Sequence, residues 1–88
     1  QIIDYKYNKK GLLIEYNEYL LQTGKILVEG KKEYNENGKV LVSISIDYRD
    51  NSGEKQFYEY DLHQKVTKYK NIYDIDSQIT ETVYTYEY

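Results

Sequence analysis

One histidine and a few closely spaced carboxylates are the side chains of this 88-residue chain best suited to acid–base or metal chemistry. His63 is the single histidine and falls in a predicted turn, which favours a solvated loop residue over a catalytic base. Asp74, Asp76 and Ser77 bring oxygens close together, but the segment lacks the third acidic position, the glycine and the distal glutamate of a calcium loop. Turn formation explains this segment better than cation binding.

The remaining chemistry-bearing residues also favour a structural interpretation. Glu59 and Asp61 share one strand parity, but nothing in the sequence indicates the opposed geometry that glycoside hydrolysis requires. The absence of cysteine excludes a thiol nucleophile and a disulfide framework, and a single histidine cannot supply the usual zinc ligands. The glycines are too dispersed to form a phosphate-binding loop. We therefore expect a protein that is not an enzyme, with no catalytic residue, no metal and no cofactor.

Charge and hydropathy exclude two classes of partner. The net charge is −3, the pI is near 5.1 and the signs are interspersed, so no basic stripe is available for a phosphate backbone and nucleic acid is not expected. No apolar run approaches the roughly 18 to 20 residues that span a bilayer, so membrane insertion is not expected either. Because the chain begins at Gln1 without a methionine, we expect a mature or excised product whose targeting segment lies outside this sequence.

A tyrosine-centred internal repeat organises the chain. Tyr7, Tyr34, Tyr60 and Tyr86 follow one another at intervals of 27, 26 and 26 residues, each within a similar local sequence. This spacing predicts a single β domain over 1–88. Its repeats span about 5–31, 32–57 and 58–83, with a partial copy at 84–88.

Each repeat carries a turn signal. Asn8 and Asn35 precede Gly11 and Gly38 by three residues, a spacing typical of a hairpin with a type I turn and a left-handed glycine. The third copy runs from Asp61 to Gln64, so Gln64 must accept a positive φ or the loop must differ. A second set of turns, joining one repeat to the next, is predicted at 22–24, 50–53 and 74–77.

Between the turns, β-branched and aromatic residues alternate with polar ones, and no stretch has a helical apolar stripe. The pattern predicts an all-β antiparallel meander of about seven strands, either an open sheet or a partial barrel. The predicted strands are roughly 2–7, 12–21, 26–35, 39–49, 55–61, 65–73 and 79–88.

The fourth strand has the clearest alternation. Its alternate Val and Ile residues predict a buried face formed by Val40, Val42, Ile44 and Ile46. The expected neighbours from other strands are Leu12, Ile14, Ile26, Val28 and Val66. In the second strand, the alternation of apolar residues and the alignment with the fourth strand through the repeat assign the buried face to positions that differ by one residue. This difference predicts a bulge near Gly11 or in mid-strand. Gly30 is interpreted as a further bulge residue.

The pattern Tyr-x-Tyr-Asn/Asp-x-x-Gly-x-Leu/Val resembles the YD (Rhs-type) repeats and related Tyr-rich hairpin repeats of uncharacterised secreted or surface proteins of gut anaerobes. The resemblance covers essentially the whole chain and departs from the pattern where Gln64 replaces glycine. It implies a β-strand architecture and an extracellular, cell-surface or periplasmic location. It implies no catalytic activity and transfers no functional residues.

The tyrosines are the residues with a functional interpretation. In a meander they form two rows, one through Tyr7, Tyr34, Tyr60 and Tyr86 and one through Tyr5, Tyr58 and Tyr84, with Lys32 interrupting the second. The rows are either cross-strand ladders that cover apolar surface or an exposed platform for a partner.

Valine and isoleucine are sparser near the C-terminus, which favours exposed rings there. The candidate partner-binding residues are Tyr58, Tyr60, Tyr84 and Tyr86. The expected function is a non-enzymatic secreted or surface interaction module for a glycan or a protein. The alternative is a purely structural β-repeat spacer or a fragment of a larger YD-type shell, and self-association through edge strands is a further expectation.

Overall fold

A computed structural model describes residues 2–88 as one antiparallel sheet of seven strands. The strands are β1 (Ile2–Tyr7), β2 (Leu13–Tyr19), β3 (Ile26–Tyr34), β4 (Val40–Asp47), β5 (Ser52–Tyr60), β6 (Val66–Ile75) and β7 (Gln78–Thr85). Each strand lies beside its neighbours in sequence, which confirms the predicted meander. The sheet is open rather than a barrel. The described part of the chain has no helix long and apolar enough to cross a membrane.

The sheet forms a single layer, with principal extents of 51, 36 and 11 Å. Nothing in residues 2–88 packs on either face, because every inter-strand contact joins sequential neighbours. Val28 is the one apolar side chain of the described residues that is buried, at 9% exposure. Ladder hydrogen bonds, cross-strand side-chain pairs and turn geometry therefore specify this fold in place of a closed hydrophobic core.

Strand register assigns the side chains to two faces. What we term the aliphatic face is centred on Ile44, whose direct partners are Lys31 and Lys55, and includes Ile46 and Ile72. What we term the tyrosine face carries these aromatic residues in directly paired or alternate positions: Tyr5, Tyr16, Tyr58, Tyr69, Tyr73 and Tyr84.

The predicted core needs correction. Ile44 and Ile46 share a face as predicted, but both stay half-buried because no second layer covers them. Val28 was expected beside them, yet it pairs with Asp47 and lies on the opposite, tyrosine face. Val40, also expected on the aliphatic face, pairs with Tyr34 beyond a bulge and lies on the tyrosine face. Alternation therefore correctly placed Ile44 and Ile46 on one face, but it did not reveal the bulge or whether anything covers that face.

The three hairpin turns of the repeat have the same geometry. In the first, the Asn8 side-chain oxygen accepts hydrogen bonds from the backbone N–H groups of Lys10 and Leu12, at 2.9 and 3.0 Å. Asn35 and Asp61 make the equivalent pairs of bonds in the second and third turns. The fourth position of each turn has positive φ, at 81° for Gly11, 81° for Gly38 and 63° for Gln64. Gln64 therefore adopts the left-handed conformation that the sequence required of it.

The turns that join one repeat to the next differ from one another. The β2–β3 connection closes with Gly24 at φ 70°, while the β4–β5 connection uses Asn51 at φ 57°. The β6–β7 turn is a two-residue loop in which Asp76 and Ser77 both have positive φ, as in a type I′ hairpin. The connections between repeats therefore differ in turn type, while the tyrosine hairpins stay constant.

Bulges occur at places that the sequence only partly indicated. The register shifts at Lys6/Tyr7 opposite β2, which leaves Ile14 as the extra residue, close to the predicted position near Gly11. Equivalent shifts recur at Glu33/Tyr34 and Glu59/Tyr60, so this bulge belongs to every hairpin.

The longer first interval has a different origin. Tyr34 follows Leu13 by 21 positions, whereas Tyr60 follows Val40 by 20. The additional residue is Leu27, at the register shift between β2 and β3. Gly30 is not a bulge, since it pairs in register with both Tyr16 and Ser45.

Candidate functional site

Two repeat tyrosines link one repeat to the preceding repeat by hydrogen bonds from their hydroxyl groups. The Tyr34 hydroxyl donates to the backbone carbonyl of Leu13 at 2.6 Å, and the Tyr60 hydroxyl donates to that of Val40 at 2.6 Å. Both carbonyls lie at the start of a strand, where the ladder with the following strand has ended. The hydroxyl completes the hydrogen bonding of that carbonyl, which a phenylalanine ring could not do.

The outermost repeat tyrosines are more exposed. Tyr7 lies on β1, which has no preceding strand among the described residues, and its side chain is 57% exposed. Tyr86 follows the end of β7, is 45% exposed and is tied by its backbone N–H to the carbonyl of Thr67 at 3.0 Å. The structural role of the repeat tyrosine is therefore established for the two central copies.

Six tyrosines gather at the C-terminal corner of the tyrosine face, and we term them the C-terminal tyrosine cluster. Its members are Tyr58, Tyr60, Tyr69, Tyr84, Tyr86 and Tyr88. Tyr69 on β6 is the central ring, because it pairs directly with Tyr58 of β5 and with Tyr84 of β7. The cluster thus crosses three adjacent strands.

Ring geometry in the cluster is close to parallel. Tyr58 and Tyr60 are 6.4 Å apart between ring centroids with an interplanar angle of 16°, and Tyr69 and Tyr84 are 6.2 Å apart at 18°. Tyr58 and Tyr69, at 5.0 Å and 43°, join the two pairs. This arrangement brings several aromatic rings into contact on the surface of the sheet.

A shallow groove of about 400 Å³ opens within the cluster, lined by Tyr58, Val66, Tyr69, Tyr86 and Tyr88. Polar groups lie at its margins. The Gln56 side-chain amide donates to the Tyr69 hydroxyl at 3.1 Å, and the Lys65 ammonium lies 5.1 Å from the centre of the Tyr88 ring. The groove therefore combines apolar ring faces with hydrogen-bonding groups at its edge.

Partial burial of two rings affects their ionisation. Burial raises the pKa of the Tyr58 phenol, and the neighbouring Tyr69, Tyr60 and Glu54 raise it further. Burial alone raises the pKa of Tyr60. Both phenols accordingly stay protonated at neutral pH and remain able to donate hydrogen bonds.

The four candidate residues predicted from sequence all belong to this cluster, but their exposure differs. Tyr84 and Tyr86 are 52% and 45% exposed, while Tyr58 and Tyr60 are half-buried. Tyr60 also forms the hydroxyl bond to Val40, so it supports the fold in addition to contributing a ring.

Sequence reasoning missed two members of the cluster. Tyr69 lies nine residues after the repeat tyrosine Tyr60, and its counterparts in the first two copies are Tyr16 and Ser43. The two tyrosine rows considered from sequence ran only along odd-numbered strands, so they did not include this position. The hairpin closed by Asp61 and Gln64 does fix the register that places Tyr69 opposite Tyr58. Tyr88 lies beyond β7 and is identified only by its position in the groove.

The acidic and histidine residues first considered for chemistry lie in separate places. His63 is an exposed turn residue whose backbone N–H donates to Asp61 at 2.8 Å. Glu59 faces Lys68 at 4.0 Å on the aliphatic face. Asp74 lies within β6, while Asp76 and Ser77 form the two-residue turn. In residues 2–88, no three histidine or acidic side chains come together as a cation site.

Comparison with protein-family models, with curated proteins and with solved structures finds no match to this chain.

Proposed function

We propose that this protein is a non-enzymatic interaction module that binds a carbohydrate on its C-terminal tyrosine cluster. The observation that carries the proposal is the continuous group of neighbouring rings across β5, β6 and β7, in which two near-parallel pairs are joined by a tilted contact and Tyr84 and Tyr86 are exposed. A sugar ring presents C–H groups on its faces and hydroxyls around its edge. Aromatic faces with polar groups at the margin complement both.

The preference for a glycan over a protein rests on shape. The groove is shallow and its lining is dominated by tyrosine, with no deep apolar pocket to take the anchor side chain that protein partners commonly supply. Gln56 at the Tyr69 hydroxyl and Lys65 over the Tyr88 ring supply hydrogen-bonding groups near the groove for sugar hydroxyls. A flat chain of sugars fits such a surface better than a protruding side chain does.

We further propose that the module acts outside the cytoplasm, at the cell surface, in the periplasm or in the extracellular medium. Support comes from the similarity of its Tyr-x-Tyr-Asn/Asp-x-x-Gly pattern to YD-type repeats.

The test is a glycan array followed by a titration with any glycan that is retained. Tyr84→Ala and Tyr86→Ala should each weaken binding about tenfold, the low end of the roughly 1 to 3 kcal/mol that an aromatic ring contributes when a nucleic-acid base stacks on it. Tyr73→Ala is the matched control, since Tyr73 lies on the tyrosine face of β6 and is 40% exposed but is outside the cluster. Equal losses in all three variants would reject the cluster as the binding site.

The alternative function is a structural spacer or a fragment of a larger YD-type shell. It is favoured by the hydroxyl bonds of Tyr34 and Tyr60, because in these two copies the repeat tyrosine joins strands together. If no glycan is retained on the array and Tyr84→Ala and Tyr86→Ala only lower the melting temperature, the spacer becomes the better proposal.

A further inference from the structure

In the part of the chain that the structure describes, β1 is an edge strand of the sheet. Among the described residues it has a neighbour, β2, on one side only. Ile3, Tyr5 and Tyr7 alternate along it on the tyrosine face and are 47%, 56% and 57% exposed. The strand contains no proline, and its pairing with β2 stays in register from Ile2 to Lys6. An edge with unpaired backbone groups and exposed apolar side chains is a template for another strand.

Charge determines which strand this edge can accept. The opposite face of β1 carries Asp4 and Lys6, both exposed. Each has a neighbour on β2, because Asp4 lies near enough to the Tyr19 phenol to raise its pKa and Glu15 lies 3.9 Å from the Lys6 ammonium. Both charged groups nevertheless remain exposed to solvent. Two opposite charges separated by one residue make the strand complementary to an antiparallel copy of itself.

We propose that two copies of this chain associate through β1, antiparallel about a two-fold axis at Tyr5, into one continuous fourteen-stranded sheet. In this register Asp4 of each copy faces Lys6 of the other, twice, and Ile3 faces Tyr7, twice. Antiparallel pairing about a two-fold axis places one residue opposite itself. Centring on Asp4 or on Lys6 would set like charges against each other, whereas centring on Tyr5 sets opposite charges together.

The other edge lacks this property. β7 carries a single charged residue, Glu81, which lies 3.1 Å from Lys70 of β6. A two-fold pairing centred on Glu81 would place that residue opposite itself. In any other register Glu81 would face an uncharged residue, because β7 has no basic residue with which it could form an ion pair. Charge complementarity between two antiparallel copies is therefore a property of β1 and not of β7.

The dimer is expected to be weak. Five residues of each strand pair, from Ile3 to Tyr7, and such an edge contact lies below the area of a standard stable interface. Association should accordingly appear between micromolar and millimolar concentrations. It should weaken as salt is added, because the Asp4–Lys6 pairs are exposed.

Sedimentation equilibrium of the 88-residue chain at low ionic strength tests the proposal. D4K and K6D should each raise the dimer dissociation constant about tenfold or more, because two attractive pairs become two repulsive ones. The double variant carrying both changes should restore wild-type affinity, and an equimolar mixture of the two single variants should form a heterodimer. Glu81→Lys is the matched control and should leave the dimer unchanged.

A second measurement uses the wild-type chain, in case a charge variant does not fold. Hydrogen exchange of the β1 amides should slow as concentration rises, while that of the β7 amides should not. A chain that stays monomeric at millimolar concentration would overturn the proposal. So would a double charge swap that stays as weak as either single variant, or an E81K variant that dissociates as readily as K6D.

Discussion

The ring of Tyr16 lies directly over the backbone of Gly30. A β-carbon on Gly30 would overlap three atoms of that ring, and the Tyr16 hydroxyl continues across β3 to within 3.3 Å of the Ser45 hydroxyl on β4. Gly30 is buried in consequence, in a sheet that buries almost nothing else. An aromatic ring packed on a cross-strand glycine compensates for the side chain that the glycine lacks.

Gly30→Val should therefore destabilise the protein by about 1 to 3 kcal/mol, because the new side chain must displace the Tyr16 ring. The change would be measured as the free energy of unfolding in urea. Gly53→Ala is the control, since a β-carbon there meets only ordinary contacts, the nearest being the Ser45 carbonyl oxygen at 3.7 Å. That variant should be neutral or stabilising by up to about 1 kcal/mol. Equal destabilisation by both changes would show that the ring is not held on Gly30.

Gln64→Gly should stabilise the third hairpin. Gln64 is held at φ 63°, where a side chain costs roughly 1 to 2 kcal/mol and glycine costs none. Part of this gain is lost with the 3.0 Å hydrogen bond from the Asn35 amide to the Gln64 side chain. We expect a net gain of up to about 1 kcal/mol, measured by thermal and urea unfolding.

The reverse change at the equivalent position provides the comparison. Gly38→Gln introduces a side chain at φ 81° and should destabilise the second hairpin by about 1 to 2 kcal/mol. If both substitutions shifted stability in the same direction, the left-handed conformation would not be what distinguishes the two turns.

The fold could be predicted from the sequence because its turns depend on interactions between residues that are close in the chain. The Asn8 turn and its two copies close short hairpins, and their side-chain to backbone bonds depend on residues no more than four positions apart. Once such turns are recognised, the order of strands in a meander follows. The Ile44 face was recovered by alternation in the same way.

The missed features depend on relationships that alternation does not encode. Tyr69 enters the cluster because two separate hairpins bring it between Tyr58 and Tyr84, which requires exact register on both sides. The Leu27 bulge lies in a strand whose composition gives no sign of it. Periodicity also cannot tell a half-buried single layer from one face of a sandwich, which is why Ile44 was expected to be buried.

Asp61 should make stability depend on pH in the acid range. Its backbone hydrogen bond from Lys65, followed by that from His63, holds the pKa of the Asp61 carboxyl below its ordinary value of 3.8, with burial acting in the opposite direction. A carboxyl whose pKa is lower in the folded state stabilises the protein above its unfolded pKa. That contribution is lost as the pH falls through the folded pKa.

Asp61→Asn should remove this part of the acid dependence, because asparagine accepts the same two bonds without a titrating charge, as Asn35 does in the second turn. Urea unfolding from pH 6 down to pH 2 would show a smaller loss of stability for the variant. The Asp47 carboxyl, whose pKa the Arg49 side chain lowers, should keep some acid dependence in both proteins. An unchanged pH profile would mean that Asp61 is equally bonded in the unfolded chain.

Tyr60→Phe should destabilise the sheet by about 0.5 to 1.5 kcal/mol, because the Val40 carbonyl loses a 2.6 Å hydrogen bond while the ring stays in place. Tyr34→Phe should cost a similar amount through the Leu13 carbonyl. Tyr7→Phe is the matched control, since that ring is largely exposed, and should change the free energy of unfolding by less than about 0.5 kcal/mol. Urea unfolding of the three variants measures the difference. Equal stability of Tyr60→Phe and Tyr7→Phe would show that the repeat selects tyrosine for its ring alone, and the hydroxyl bonds between repeats would then contribute nothing to the fold.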